Sequence, residues 1–143
     1  MRMQDSQANC GPFAVRNALA ALGIDRSVEE LEKLLGCTAT HGTTGTKMWK
    51  GLLSIAELNP VKIDESRQDV AHLRLRAALD AGRPVVCCVD NNEHYICAIG
   101  LLGSGRVLIA DSADTELVLS LDWSQLMGRW RSGLRRAYWG IAL

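Results

Sequence analysis

The stretch that decides the fold is GPFAVRNALAAL, residues 11–22, which follows Cys10 and is closed by Gly23. Proline is common in the first turn of a helix and glycine just past its end, so this stretch predicts a helix with Cys10 at its N-terminus. Its residues are apolar almost all round, which indicates a helix buried in the centre of the molecule.

Outward from this helix, the pattern changes from helical to extended. Further helices are predicted over residues 27–35, 47–58, 70–81 and, briefly, 124–130. Short apolar runs separated by turn residues predict strands in the second half. These runs are residues 85–89, 95–99, 107–110, 117–119 and 139–142. Helices followed by an antiparallel sheet predict an α+β fold, and residues 1–143 have the length of one ordinary domain.

Composition argues against several classes of function. The formal net charge is zero, so no basic field collects nucleic acid. No run approaches the roughly 20 apolar residues of a membrane span, and no membrane insertion is expected. The five cysteines are scattered and odd in number, and no apolar signal region follows Met1, which is typical of a soluble, cytoplasmic protein. Cys87, Cys88 and Cys97 lie within apolar strands, where small buried side chains are expected rather than metal ligands.

Cys10 is the candidate nucleophile. A thiol at a helix N-terminus faces unpaired backbone N–H groups and the positive end of the helix dipole, and both stabilise a thiolate. The following Gly11 is expected to let a substrate backbone approach closely. The alternative is a buried, inert cysteine, which is the ordinary fate of a free cysteine.

A nucleophilic cysteine needs a base, and the chain offers three histidines. His72 stands beside Arg74 and Arg76 on an amphipathic helix, where a solvated residue is expected. His41 lies in a polar loop and reads as a surface histidine, although such a loop can also line a cleft. His94 opens an apolar strand, where the sheet holds the residue while its ring reaches a cleft, so His94 is the best candidate.

The base in turn needs a residue to orient it. Pairing residues 95–101 with 106–110 in a hairpin places His94 and Asp111 at the same end of two adjacent strands. A carboxylate there can hold the imidazole in the right tautomer. Asp114, three residues further on, is the competing candidate, and Asp111 can equally be a strand cap that starts a turn.

An oxyanion donor completes such a set. Gln4 stands six positions before Cys10 and can add a side-chain amide to the backbone N–H of Cys10. Gln7 is closer in sequence, and the spacing alone does not exclude it.

Taken together, the chain resembles the C39-type peptidases, a branch of the papain-like cysteine peptidases. The matching pieces occur in the family's order and span nearly the whole chain: Gln4-x-x-x-x-Asn9-Cys10-Gly11-Pro12, Gly45-Thr46, Pro84-Val85-Val86, His94-Tyr95-Ile96 and Asp111. The resemblance implies a papain-like fold, in which N-terminal helices, the central one carrying the cysteine, pack on a C-terminal antiparallel sheet.

Residue by residue, the resemblance implies that Gln4 supplies the oxyanion hole, Cys10 attacks, His94 is the base and Asp111 orients it. It selects Gln4 over Gln7 and Asp111 over Asp114. Ser112 follows the aspartate where the family often has proline. C39 domains typically precede membrane transporters and cut a leader behind a double glycine, whereas this chain shows neither transmembrane helices nor an ATPase domain.

The expected function is therefore cleavage of a peptide, isopeptide or amide bond in a peptide or protein substrate, with no metal or organic cofactor. A transporter or leader-peptide partner is not identified by the sequence. A deamidase, an acyltransferase or a catalytically silent binding module on the same scaffold are the alternatives, because the same residues serve several chemistries and a fold does not fix a function.

Overall fold

The apolar stretch after Cys10 forms helix α1, Cys10–Ala21, and nine of its twelve residues are buried. The computed structural model describes residues 7–91, 93–113, 118–131 and 138–143. A short 3-10 turn, Gln7–Asn9, leads into α1. The buried central helix predicted from the sequence is thus present, with Cys10 as its first residue.

The other helices begin at side-chain caps or charged first turns. They are α2, Val28–Leu34; α3, Gly45–Leu53; α4, Gln68–Asp80; and α5, Trp123–Trp130. The Ser27 side chain caps α2, and Asp122 forms a capping box with Gln125 at the start of α5. The predicted third helix, residues 47–58, extended too far: α3 ends at Leu53, where the Ser54 backbone N–H donates to the Gly51 carbonyl at 3.1 Å in a tighter turn.

The strands form one antiparallel sheet in the order β1-β6-β2-β3-β4-β5. They are β1, Val61–Glu65; β2, Val85–Val89; β3, His94–Leu101; β4, Val107–Ala110; β5, Val118–Leu121; and β6, Tyr138–Ala142. The five later strands match the sequence prediction, and β1 was not predicted. Strand β6 lies between β1 and β2, two strands that precede it in the chain.

The sheet is covered on both faces. Helix α1 packs on one face, in a core that also holds Met48 of α3 and Cys97 of β3. Helices α4 and α5 pack on the other, in a core that includes Leu75 and Trp130. The sequence therefore predicted the α+β class correctly, but it did not predict that α4 and α5 pack on the face of the sheet opposite to α1. Within the described part of the chain, no helix is long and apolar enough to cross a membrane.

Candidate active site

Cys10 is the first residue of α1, and it is 6% exposed. The preceding residue, Asn9, does not cap the helix with its side chain; its amide instead lies 3.4 Å from a carboxylate oxygen of Glu32. Asn9 therefore does not compete for the first backbone N–H groups of α1, and the thiol stands at the positive end of a helix dipole.

His94 is the first residue of β3 and connects two other candidate residues. Its Nε2 atom lies 2.7 Å from Oδ1 of Asp111, and Cys10 is the other residue whose side chain raises its pKa. A carboxylate only accepts, so Nε2 carries a proton, and Nδ1 is the ring nitrogen left to exchange a proton with a thiol. Burial by itself lowers the pKa of His94, but the interactions with Asp111 and Cys10 outweigh it and raise the pKa to about 9.

Asp111 follows β4 directly, and its side chain is 6% exposed. Its Oδ1 atom accepts from His94 and, at 3.0 Å, from the Ala113 backbone N–H. Burial raises the pKa of the carboxyl, but these two hydrogen bonds and the nearby Arg129 charge outweigh burial and hold the pKa below its ordinary value. Asp111 is therefore an ionised acceptor that fixes the His94 ring.

Arg129, on α5, is a residue of this site that the sequence did not reveal. Its Nη2 atom lies 3.2 Å from Oδ2 of Asp111 and 2.8 Å from Oδ2 of Asp90, and its Nε lies 3.1 Å from Oδ1 of Asp90. Asp90 opens the turn between β2 and β3 and has a positive φ of 55°, which aspartate and asparagine tolerate better than most residues. The hydrogen bond with Asp90 raises the pKa of Arg129, so the guanidinium stays charged.

A cleft of about 670 Å³ opens beside His94. One of its walls is formed by part of the loop of residues 38–44, which we term the cleft loop. The other lining residues come from the segment before α1, the β2–β3 turn and the segment after β4. The full set is Ala8, Ala39, Thr40, His41, Gly42, Thr43, Asp90, Glu93, His94, Tyr95 and Ala113.

Contacts of the cleft loop hold this wall in place. The Tyr95 hydroxyl donates to the Thr43 carbonyl at 3.1 Å. Gly42 has a φ of 61°, and a Cβ there would lie 2.9 Å from the Ala8 carbonyl oxygen. Gly11 faces the same loop, since a Cβ on it would lie 3.1 Å from Thr43. The small size of Gly11 thus serves packing against the cleft loop, a reason that the sequence did not suggest.

The other candidate residues separate from this cluster or fall outside the description. His41 is exposed and lines the cleft, so it is both a surface residue and a cleft residue. His72 is half-buried and not fully solvated as predicted: its Nε2 atom is buried, and its ring packs on that of Trp123 at a 42° tilt with centroids 4.2 Å apart. Gln4 and Asp114 lie outside the described residues, as does the side chain of Gln7, so the predictions made for them stay predictions.

Three of the other four cysteines, Cys87, Cys88 and Cys97, have the character of core residues. Burial raises the pKa of Cys87 and Cys97, and it raises that of Cys88 to about 12. Cys87 faces the core beneath α4 and α5, whereas Cys88 and Cys97 face the core beneath α1. The sheet therefore separates Cys87 from the other two. Cys37, which is partly exposed, donates to the Ala8 carbonyl at 3.3 Å.

Comparison with known families gives a match over most of the chain. A model described as the Peptidase_C39 like family matches residues 1–137. The chain belongs to this family. The match includes every residue of the candidate site described above, from Cys10 to Arg129. A comparison with curated protein sequences finds no significant match.

Solved structures of C39 peptidase domains have the same fold as this C39-like chain. The peptidase domain of Streptococcus ComA, a bifunctional ABC transporter, matches with a TM-score of 0.74 and 16% identity, over 98% of this chain and 93% of that one. A double glycine motif protease from an AMS/PCAT transporter, in complex with the leader peptide, matches with a TM-score of 0.71 and 14% identity, over 97% of this chain and 86% of that one. A Bacillus anthracis protein described as a C39-like peptidase matches with a TM-score of 0.77 and 14% identity, over 99% of this chain and 92% of that one.

Proposed function

We propose that this C39-like chain is a cysteine peptidase in which Cys10 attacks the scissile carbonyl, His94 is the base and Asp111 orients the base. The observation that carries the proposal is the position of the His94 ring. One ring nitrogen is held by an ionised carboxylate at 2.7 Å, and the Cys10 side chain at the start of α1 is near enough to raise the pKa of the ring. A nucleophile, a base and an orienting acceptor in this order are the requirement for covalent acyl transfer.

In the first half of the reaction, Nδ1 of His94 takes the proton of the Cys10 thiol. The thiolate then forms a C–S bond to the carbonyl carbon, and the carbonyl electron pair moves to oxygen. The Cys10 backbone N–H and, by the family resemblance, the Gln4 amide would hold that oxyanion, each donor contributing roughly 10²–10³ in rate. The imidazolium returns its proton to the leaving amine as the C–N bond breaks, which leaves a thioester.

In the second half, water attacks the thioester. His94 accepts a proton from the water and returns it to the Cys10 sulfur as the C–S bond breaks. The carboxylic acid leaves, and the starting state is restored. Throughout, Asp111 stays ionised and holds the Nε2 proton, which keeps Nδ1 facing the reacting groups.

The substrate we propose is a peptide, and processing of a leader peptide is the version of this function that we would test first. One structural neighbour is a protease in complex with its leader peptide, and another is the peptidase domain of a transporter. The cleft of about 670 Å³ beside His94 is large enough for several residues of an extended chain.

The first experiment is alkylation of the native protein by limiting iodoacetamide between about pH 5 and pH 9, with the label located by peptide mass spectrometry. We expect rapid labelling confined to Cys10, slowed by His94→Ala. Labelling of Cys10 at the rate of an ordinary thiol would contradict the proposed pair and favour a binding module.

A peptide screen then tests the reaction itself. Wild-type protein should cut at least one peptide of a leader-derived set, Cys10→Ala should cut none, and Cys37→Ser, which keeps a hydrogen-bond donor at that position, should act as wild type. Mass spectrometry of the products separates the chemistries, since a new chain terminus means proteolysis and conversion of an amide to an acid means deamidation. A fully active Cys10→Ala protein would sink the proposal.

A further inference from the structure

Arg129 joins two parts of the candidate site that are distant in sequence. Its guanidinium binds both carboxylate oxygens of Asp90 through Nε and Nη2, and the same Nη2 binds Oδ2 of Asp111. Its backbone carbonyl also accepts from the Asp90 N–H at 2.8 Å. The last turn of α5 is thus fastened by side chain and main chain to the turn that precedes His94.

This arrangement fixes the direction of the Asp111 carboxylate. Oδ1 is held by His94 and by the Ala113 N–H, and Oδ2 is held by Arg129. A carboxylate bound on both oxygens cannot rotate about its Cβ–Cγ bond without losing a charge-assisted hydrogen bond. The direction of Oδ1 toward Nε2 of His94 therefore depends on what holds Oδ2.

We propose that Arg129 is a positioning residue, which holds Oδ2 of Asp111 and the β2–β3 turn so that Oδ1 faces Nε2 of His94. The inference deepens the proposed function and rests on it. Arg129 binds Oδ2 of Asp111 while His94 lies at Oδ1 of the same carboxylate, so Arg129 acts on His94 through Asp111. The charged and titratable groups around it are Asp90 on the turn, His94 on β3, Asp111 after β4 and, beyond His94, Cys10 on α1.

The direction in which the pKa of His94 changes when Arg129 is removed distinguishes a positioning role from a purely electrostatic one. If Arg129 only neutralised Asp111, its removal would leave a stronger anion beside His94 and raise the pKa of that histidine. If Arg129 positions Asp111, its removal weakens the hydrogen bond to Nε2, and the pKa of His94 falls. We expect a fall of about one unit, equivalent to a tenfold change in the protonation equilibrium.

The test compares Arg129→Gln and Arg129→Lys with Arg106→Gln as the matched control. Arg106 is a half-buried arginine that binds Ser120. It lies at the opposite end of β4 from Asp111, because Arg106 precedes the first residue of that strand and Asp111 follows its last residue. His94 is titrated by NMR in the Cys10→Ala background, so that thiol ionisation does not interfere, and Cys10 alkylation is measured in the otherwise native chain. Arg129→Gln should shift the pH dependence of Cys10 alkylation by about the same one unit as the pKa of His94, Arg129→Lys should lie between, and Arg106→Gln should match wild type.

The outcomes each decide the inference. An unchanged or raised pKa of His94 in Arg129→Gln would overturn it. Helix α5 stays anchored by Leu126, Met127 and Trp130 in the core, so Arg129→Gln should fold; if it does not, Arg129→Lys decides by the same readouts. With a cleavable peptide in hand, Arg129→Gln should lower kcat and leave KM unchanged. Absence of any cleavage by wild type would refute the proposed function alone, because the titration needs no substrate.

Discussion

Replacing Asp111 by asparagine removes the charge beside His94 and keeps nearly the same shape. The asparagine carbonyl can still accept from Nε2, so the tautomer survives. Its amide nitrogen would then face the Nη2 donor of Arg129, which lies 3.2 Å from Oδ2 in the native protein. The variant therefore removes the charge interaction between residue 111 and His94 but keeps their hydrogen bond. It also places two N–H donors, the asparagine amide and Nη2 of Arg129, against each other.

The magnitude follows from the pKa of His94, which rises from the ordinary 6.5 to about 9 although burial lowers it. This rise is equivalent to about 3 kcal/mol favouring the imidazolium. Asp111 and Cys10 share it, and the Asp111 hydrogen bond is the larger of the two. Loss of the charge should therefore lower the pKa of His94 by about one to two units, which reduces the ratio of imidazolium to neutral imidazole at a given pH by about 10-fold to 100-fold where His94 titrates.

The assay is the rate of Cys10 alkylation by iodoacetamide as a function of pH, measured by peptide mass spectrometry, with His94 titrated by NMR alongside. Asp69→Asn is the matched control, since it removes a carboxylate from an ion pair with Arg67 in which both side chains are more than half exposed. If Asp111→Asn and wild type gave superimposable pH profiles, the reasoning from this contact would be refuted.

Three further predictions concern stability, each measured by urea unfolding. The pKa of His94 is higher in the folded than in the unfolded chain, so protonated His94 adds to the free energy of unfolding. This contribution is complete below about pH 6.5 and is lost as the pH rises through about 9. His94→Gln should remove this pH-dependent loss, which amounts to about 3 kcal/mol at most. Gly42 and Gly23 both have a positive φ, so alanine at either position should cost about 1–2 kcal/mol of backbone strain. Gly42→Ala should destabilise the protein more than Gly23→Ala, because only at Gly42 would the new Cβ meet a backbone carbonyl oxygen, at 2.9 Å. Tyr95→Phe should cost about 1–2 kcal/mol by leaving a buried carbonyl of the cleft loop unsatisfied, and Tyr138→Phe, whose hydroxyl contact is 3.4 Å long, should cost less.

Each of these has an outcome that would contradict it. A His94→Gln protein that lost stability with rising pH as steeply as wild type would show that another group titrates. Equal effects at the two glycines would mean that strain alone matters, and equal effects at the two tyrosines would mean that the cleft loop does not depend on its hydrogen bond.

The elements that the sequence predicted are those whose signal is local. Proline and glycine mark both ends of α1, and its apolar composition indicates burial regardless of the partner. His94 and Asp111 were placed together because a hairpin relates residues through a short turn. Strand β1 gave no such signal: of its five residues only Ile63 is buried, and it pairs with β6, as in the contact of Val61 with Ala142.

Arg129 shows why part of the candidate site escaped prediction. An arginine near the C-terminus of an amphipathic helix is typical of a solvated residue that complements the helix dipole. Its partners lie 39 and 18 residues away, at Asp90 and Asp111, and no periodic pattern relates the three. The predicted end of α3 failed for a related reason, since Ile55 and Leu58 keep helical spacing and pack into the core although the chain has already turned at Ser54.

The position of β6 has a consequence for the order of events during synthesis. Residues 138–142 fill the gap between β1 and β2, so a nascent chain that has not yet reached them has a sheet split in two, with unpaired edges on both β1 and β2. Joining β1 to the sheet closes a loop of more than 70 residues, which is a slow, non-local step. We therefore expect the candidate site to be assembled late, after translation has passed β6, although Cys10 is synthesised early.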